Sequence, residues 1–198
     1  MGRSSDAEST LLARVRQGDR DAFAELVAPY RDRVYATALR VLGNREDAAE
    51  VTQEAFLRTF WNMTGFHGHA HFYTWLYRIA LNLCYRRLAL RRREPPLLLP
   101  TARDDQRDET IAPEDLVVDP SSSPREIVNQ RETVQVVRQA LAALKPRDFH
   151  ILILREFEEL SYEELAQRLH LAKGTVMSRL HRARLALAEQ LTRLGVTT

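Results

Sequence analysis

Three histidines alternate with other residues in one short segment, at His67, His69 and His71. Imidazole nitrogens bind metal ions, and side chains two residues apart point the same way in an extended chain, so these three could converge on one metal. A metal-dependent enzyme is therefore one hypothesis for this chain. The segment has no nearby carboxylate to complete a hydrolytic site, however, and its glycines favour a turn. The single cysteine, Cys84, falls inside a helical pattern, where nothing indicates a reactive thiol.

Residues 72–91 carry a second set of side chains that could do chemistry. At the helical period one side of this segment is apolar, and the other collects cationic, aromatic and amide groups: Thr74, Trp75, Arg78, Asn82, Tyr85 and Arg86. Cationic groups neutralise phosphates, aromatic rings stack on unpaired bases, and an amide pairs with a base edge. This face predicts binding to nucleic acid, preferably with exposed bases. Favourable interaction of charges with the helix end would explain the arginines but not Trp75, Tyr85 and Asn82 beside them.

A third set lies near the carboxyl end of the chain. Ser161 and Glu164 form a capping box that opens a short helix, and a tight turn at 170–172 leads to a second helix. The second helix buries an apolar stripe and presents a polar, basic surface made of Lys173, Thr175, Ser178, Arg179, His181, Arg182 and Arg184. This pattern is typical of a helix-turn-helix motif whose second helix enters the major groove. The alternative is an ordinary helical hairpin.

The segment 46–63 has a broad core side and an opposite stripe of Glu50, Gln53, Glu54, Leu57 and Trp61. Acidic groups around exposed apolar residues indicate a protein partner, and a basic one. A solvated charged face with incidental apolar residues explains the same stripe.

Helices must position all of these residues, because the chain shows no alternating strand pattern of useful length. The predicted helices cover 7–17, 19–42 with a kink or break at Pro29, 44–63 with Asn44 as its cap, 72–91, 126–144, 147–158 and two short helices within 161–190. The fold class predicted is therefore all-α.

Charge is unevenly distributed along the 198 residues, although the net charge is only +2. Residues 94–126 hold nine acidic residues against three arginines, and six of the eight prolines. Such a segment cannot bury enough apolar surface to fold, so it predicts a flexible acidic, proline-rich linker between two small helical domains, at 1–93 and 127–198. The alternative is a proline-rich lid folded on one domain.

Several classes of protein are disfavoured by composition. One cysteine excludes a disulfide framework within the chain, and no glycine-rich phosphate-binding loop is present. No apolar run approaches the ~18 residues of a membrane span, so we expect a cytoplasmic protein without membrane insertion.

Two long runs resemble a known family. EDAAEVTQEAFLRTFW with FHGHAHFYTWLYRIALNLCYRRL is similar to region 2 of bacterial RNA polymerase sigma factors, and LKPRDFHILILREFEELSYEELAQRLHLAKGTVMSRLHRARLAL is similar to region 4. Their order and the variable linker between them resemble the extracytoplasmic-function (ECF) group, close to the sigma-E type. The resemblance implies a non-enzymatic, cofactor-free sigma factor. Such a protein recruits core RNA polymerase to −35 and −10 promoter elements, promotes melting and serves a stress response.

The resemblance also implies roles for single residues. Glu50, Gln53, Glu54 and Leu57 match the part of region 2 that docks on the clamp helices of the polymerase β′ subunit. The loop from Phe66 through His67, His69 and His71 matches, with Asn82, the pocket for a flipped −10 base. Tyr73, Trp75, Arg78 and Arg86 would line the path of the melted strand.

In the region 4-like part, the basic helix surface matches the −35-reading helix, and the outer apolar face matches the surface that meets the β flap. Family members are commonly held inactive by an anti-sigma factor, which the resemblance adds as a partner. The three histidines and Met177 depart from the usual family residues, and these departures bear on the promoter sequence rather than on the activity. A remaining alternative is a two-domain regulator that binds duplex DNA without polymerase, for which the stacking face of 72–91 would be superfluous.

Overall fold

The structure is a computed structural model that describes residues 2–66, 72–93 and 124–196. Within these ranges the chain is helical without strands, and the predicted all-α class is confirmed. The helices are α1 (Gly2–Arg16), α2 (Arg20–Val27), α3 (Arg31–Leu42), α4 (Arg45–Trp61), α5 (Phe72–Arg93), α6 (Pro124–Ala143), α7 (Pro146–Glu156), α8 (Tyr162–Leu169) and α9 (Lys173–Arg193). Single 3-10 turns at Ala28–Tyr30 and Met63–Gly65 complete the described elements. Most of the predicted linker, and the three histidines at 67, 69 and 71, lie outside the described residues.

Local signals determine where α2 and α4 begin and where α2 ends. The Asp19 carboxylate accepts a hydrogen bond from the Ala22 amide (2.9 Å) and starts α2, and the Asn44 side chain caps α4 through the Asp47 amide (2.9 Å). Of the predicted kink or break at Pro29, the structure shows the break, because the turn at Ala28–Tyr30 separates α2 from α3. The resulting N-terminal group is α1–α5.

The last four helices form a C-terminal group. α6 begins at Pro124, two residues before the predicted start. Pro146 occupies the first turn of α7, where its missing N–H costs nothing, and Ser161 with Glu164 forms the predicted capping box of α8. The prediction of two short helices within 161–190 is wrong for the second. α9 has 21 residues, because after Gly174 in its first turn no glycine or proline interrupts the helix before Gly195.

The two groups are packed together rather than separate. α5 lies against α3 and α4 in its own group and against α6 and α7 of the other group. Its buried side includes Phe72, Leu76 and Leu81, which are almost fully enclosed. α5 is thus the main helix through which one group meets the other. No helix in the described part of the chain is long and apolar enough to cross a membrane.

Candidate nucleic-acid interface

The predicted strand-binding face of α5 is built around Trp75. Its ring is half-buried and lies 5.1 Å from that of Phe66 and 6.2 Å from that of Phe72, measured between centroids. Arg16 of α1 donates a hydrogen bond to the Phe66 carbonyl (2.7 Å), which pins the chain where the loop begins. Phe66, the first residue of the predicted base pocket, is therefore held by ring packing against α5 and by a hydrogen bond from α1.

Three predicted contacts on α5 are exposed: Arg78, Asn82 and Arg86. They recur at intervals of four residues along one side of the helix, so they form one row past Trp75. Two cations flanking an amide can track a phosphate backbone while the amide meets a base edge. The structure brings these three together with Trp75 as the sequence predicted.

Tyr73 stands apart from that row because it is buried. Its hydroxyl donates to Oε2 of Glu158 (3.0 Å), and the guanidinium groups of Arg33 and Arg168 lie 5.1 and 4.9 Å from the ring centroid. Burial and the Glu158 charge raise the pKa of Tyr73 above its ordinary value, so it stays a neutral donor. In this arrangement Tyr73 does not line an open path for single-stranded DNA.

The helix-turn-helix surface is formed as predicted by α8 and α9. His170 ends α8 in the left-handed conformation (φ 51°), and the chain turns into α9 at Ala172. Val176, Leu180 and Ala183 face the core, whereas Leu187 is only half-buried. The predicted contact residues that are exposed are Lys173, Thr175, Ser178, His181, Arg182 and Arg184, and Arg179 is half-buried.

Two of these cations have acidic neighbours. Lys173 pairs with Glu163, and Arg184 pairs with Glu156 (2.8 Å). The exposed Arg182 donates from Nε to the Ser178 carbonyl of its own helix (3.3 Å), which leaves its terminal guanidinium N–H groups available to a ligand. Among the cations of this surface, Arg182 is well placed to contact DNA.

The stripe on α4 is exposed, as predicted. Leu57 and Trp61 expose 43% and 70% of their surface, which is high for large apolar side chains. The sequence did not indicate that the neighbouring acids are paired within the chain. Glu50 meets Arg87 of α5, and Glu54 pairs with Arg58 one turn along α4 (2.5 Å). Two ion pairs within the chain therefore border the exposed apolar patch of Leu57 and Trp61.

Hypotheses of reactive chemistry gain no support from the described residues. Burial raises the pKa of Cys84 to about 12, which leaves it a protonated thiol. Among the parts of the chain that the structure describes, no three histidine, cysteine or acidic side chains come close enough to hold a metal. The histidines of the metal hypothesis lie outside those parts.

One polar cluster was missed by sequence reasoning entirely. Glu158, in the α7–α8 connection, has a side chain only 4% exposed and accepts hydrogen bonds from Thr37 (2.6 Å), Tyr73, Tyr77 and Arg33 (2.5 Å). Burial alone would raise the pKa of Glu158, but these hydrogen bonds and the Arg33 charge outweigh it and hold the pKa below its ordinary value. The four donors belong to α3 and α5, so no local pattern could have revealed the cluster.

Comparison with known proteins places the chain in a family. Residues 26–94 match the family model described as "Sigma-70 region 2", and residues 135–187 match "Sigma-70, region 4". The chain is 34% identical over 180 residues to "ECF RNA polymerase sigma factor SigW" of Bacillus subtilis, covering 91% of this chain and 94% of that protein. It is 35% identical over 181 residues to "ECF RNA polymerase sigma-E factor" of Escherichia coli K12, covering 91% and 92%.

The fold also matches a solved structure. In "Structure of CnrH in complex with the cytosolic domain of CnrY", one chain aligns with a TM-score of 0.54 and 24% identity, over 95% of this chain and 99% of that one. Two family regions in the predicted order, with relatives that match almost from end to end, establish the assignment. The chain belongs to the ECF group of the sigma-70 family of RNA polymerase sigma factors.

Proposed function

We propose that this sigma factor divides promoter recognition between its two helical groups, with α9 reading the −35 duplex and α5 holding the melted −10 strand. The protein itself catalyses no reaction, and RNA synthesis belongs to the polymerase that it recruits. We place its action in the cytoplasm, with the polymerase. The domain limits proposed are 1–93, 94–126 for the linker and 127–198.

The −35 assignment is carried by one observation, which is the exposed row on α9. Thr175, Ser178 and Arg182 follow one another at intervals of three and four residues, on the side opposite the buried Val176 and Leu180. A major groove admits one helix face of this width, and arginine is the side chain best suited to a guanine edge. Lys173 and Arg184 are further exposed cations of α9 outside this row and are suited to phosphate contacts, which position the helix without reading sequence.

The −10 assignment rests on the exposed row Arg78, Asn82 and Arg86 beside Trp75. Stacking of one base on an aromatic ring contributes about 1–3 kcal/mol, and it is available only to a base that has left the duplex. A surface of this kind favours the open strand over the closed one and so promotes melting. The family resemblance adds the histidines at 67, 69 and 71 as proposed members of this base pocket.

The patch on α4 is the proposed contact with the β′ clamp helices. Leu57 supplies exposed apolar surface, while Glu50, Gln53 and Glu54 supply polar atoms for a basic partner. The outer apolar face of the C-terminal group, where Leu185 and Leu194 are exposed, is the proposed contact with the β flap.

An anti-sigma factor is the proposed regulatory partner. The family resemblance supports it, and the CnrH protein is named in a complex with the cytosolic domain of CnrY.

Transcription from a random promoter library, with purified chain and heterologous core polymerase, tests the whole proposal. The wild-type chain should select a −35 and a −10 sequence. Arg182→Ala should lower transcription from the selected promoter by an amount equivalent to about 1–3 kcal/mol and relax the −35 preference, without lowering thermal stability.

Arg193→Ala is the matched control, because Arg193 is also an exposed cation of α9 but lies in its last turn. It should leave the −35 preference unchanged. Loss of stability in Arg182→Ala with an unchanged −35 preference would contradict the proposed orientation of α9.

A further inference from the structure

Glu158 connects the two helical groups. It follows the end of α7 and projects its carboxylate between α3 and α5, where Thr37 and Arg33 approach from α3 and Tyr73 and Tyr77 from α5. A carboxylate with four donors around it satisfies its lone pairs without water, which is the condition for burying a charge. Every one of those donors lies more than 80 residues away in the chain.

Other polar contacts support the same packing. Arg40 donates to the Phe157 carbonyl (2.9 Å), and Tyr85 donates to the Leu144 carbonyl (2.9 Å). Arg138 of α6 is only 8% exposed and reaches the Val41 carbonyl at the end of α3 (3.3 Å). Contacts from α6, the α6–α7 connection and the α7–α8 connection therefore hold the C-terminal group on α3 and α5.

This packing covers part of the proposed strand-binding face. The Tyr73 ring lies between guanidinium groups at 5.1 and 4.9 Å and neighbouring tyrosine rings at 5.0 and 5.1 Å, so no base can stack on it. Trp75 and Arg78 line a cavity of about 150 Å³ with His150, Leu154 and Arg168 of the C-terminal group. A nucleotide laid along this part of α5 requires space that α7 and α8 occupy.

We propose that the free chain is held closed by Glu158, and that this closed arrangement excludes single-stranded DNA from α5 until the two helical groups separate. The proposal rests on the proposed function, because it takes the α5 face as the strand-binding surface. The closed arrangement reduces the apparent affinity for single-stranded DNA by the fraction of molecules that are open. Removing the Glu158 carboxylate raises that fraction.

The first experiment measures the separation of the two helical groups by energy transfer, in the absence of DNA. Fluorescent labels are attached at Gln17→Cys and Thr192→Cys, both exposed positions, in a full-length Cys84→Ala background. Glu158→Ala should lower energy transfer between the labels, and Tyr77→Phe, which removes one hydroxyl donor, should lower it less. Glu159→Ala removes an equal charge from the exposed neighbouring residue and should leave energy transfer unchanged.

The same proteins are then titrated with a short fluorescent single-stranded DNA of mixed sequence. Loss of charge-assisted hydrogen bonds predicts that Glu158→Ala binds it about tenfold more tightly than the wild type or Glu159→Ala. Circular dichroism on each variant verifies that the helices remain formed, and Tyr77→Phe keeps the test decisive if Glu158→Ala unfolds.

The outcomes separate the two proposals. Unchanged energy transfer in both Glu158→Ala and Tyr77→Phe overturns the closing role of Glu158, whatever the DNA result. Separated groups with unchanged affinity for DNA overturn the exclusion. If the opened variant binds DNA more tightly but adding Arg86→Ala and Asn82→Ala does not weaken that binding, the α5 assignment in the proposed function fails while closure by Glu158 stands.

Discussion

Lowering the pH should open the closed arrangement through His150. This residue of α7 lines the cavity between the two groups, where Arg78 of α5 and Arg168 of α8 also lie, and its Nε2 is buried without a hydrogen-bond partner. Burial and the positive charge of Arg78 lower the pKa of His150 from 6.5 to about 4. The closed arrangement therefore holds this imidazole neutral.

The sign and size of the effect follow from that difference. When the groups separate, His150 and Arg78 move apart and the pKa returns toward 6.5, so the open form binds more protons than the closed form. The stability that closure gains from neutral His150 is complete above the ordinary pKa and is lost as the pH falls toward 4. At about pH 5.5, one unit below the ordinary pKa, the open fraction should rise about tenfold, equivalent to about 1.4 kcal/mol.

Energy transfer between the labels at Gln17→Cys and Thr192→Cys measures this opening directly. The wild-type pair should lose transfer between about pH 7.5 and pH 5.5, where the pKa of Glu158, held below its ordinary value, keeps that carboxylate ionised. His150→Gln keeps a polar side chain that cannot titrate and retains all other histidines as internal controls. An equal pH response in wild type and His150→Gln would refute the reasoning.

Three further predictions concern stability and polymerase binding. Glu159 has a positive φ of 53° without being glycine, so Glu159→Gly should raise the free energy of unfolding by up to about 1 kcal/mol in urea titrations, and a decrease would contradict the strain. Gly43 has φ +70°, and a Cβ there would lie 1.9 Å from Cζ of Arg138. Gly43→Ala should therefore lower the melting temperature, and adding Arg138→Ala should restore part of that loss. If the second substitution restores nothing, backbone strain alone explains the lower melting temperature. Leu57→Ala should weaken binding to core polymerase at unchanged helix content, whereas Leu90→Ala, at an even more exposed leucine on α5, should not; equal binding by both variants would remove the α4 patch from the interface.

Local sequence determined the secondary structure because each signal acts within one helical turn. The Ser161 and Glu164 capping box, the Asn44 cap and the break at Pro29 each depend on hydrogen bonds or sterics between residues no more than four apart. The exposed row on α9 and the exposed Leu57 were equally predictable, because a 3.6-residue period already separates the buried side of a helix from its free side.

Periodicity could not tell which free side another helix would cover. Tyr73 and Trp75 share a helix and an aromatic character, yet Tyr73 is buried and Trp75 is half-buried, because the C-terminal group packs across the helix end that carries them. From sequence alone both appeared equally suited to stacking on DNA. The length of α9 was also underestimated, since the boundary at 190 had no capping signal behind it.

The Glu158 cluster was decided by tertiary structure alone. In the sequence Glu158 is one of several acids near the end of α7, and nothing local distinguishes it from exposed Glu159 beside it. Its partners come from α3 and α5, more than 80 residues earlier, and hydrogen bonds over such separations exist only once the two helical groups are in place. The family, the helices and their exposed faces could therefore be predicted from the residues. Only the tertiary structure decided that the C-terminal group covers part of α5, because that contact depends on how the two helical groups pack.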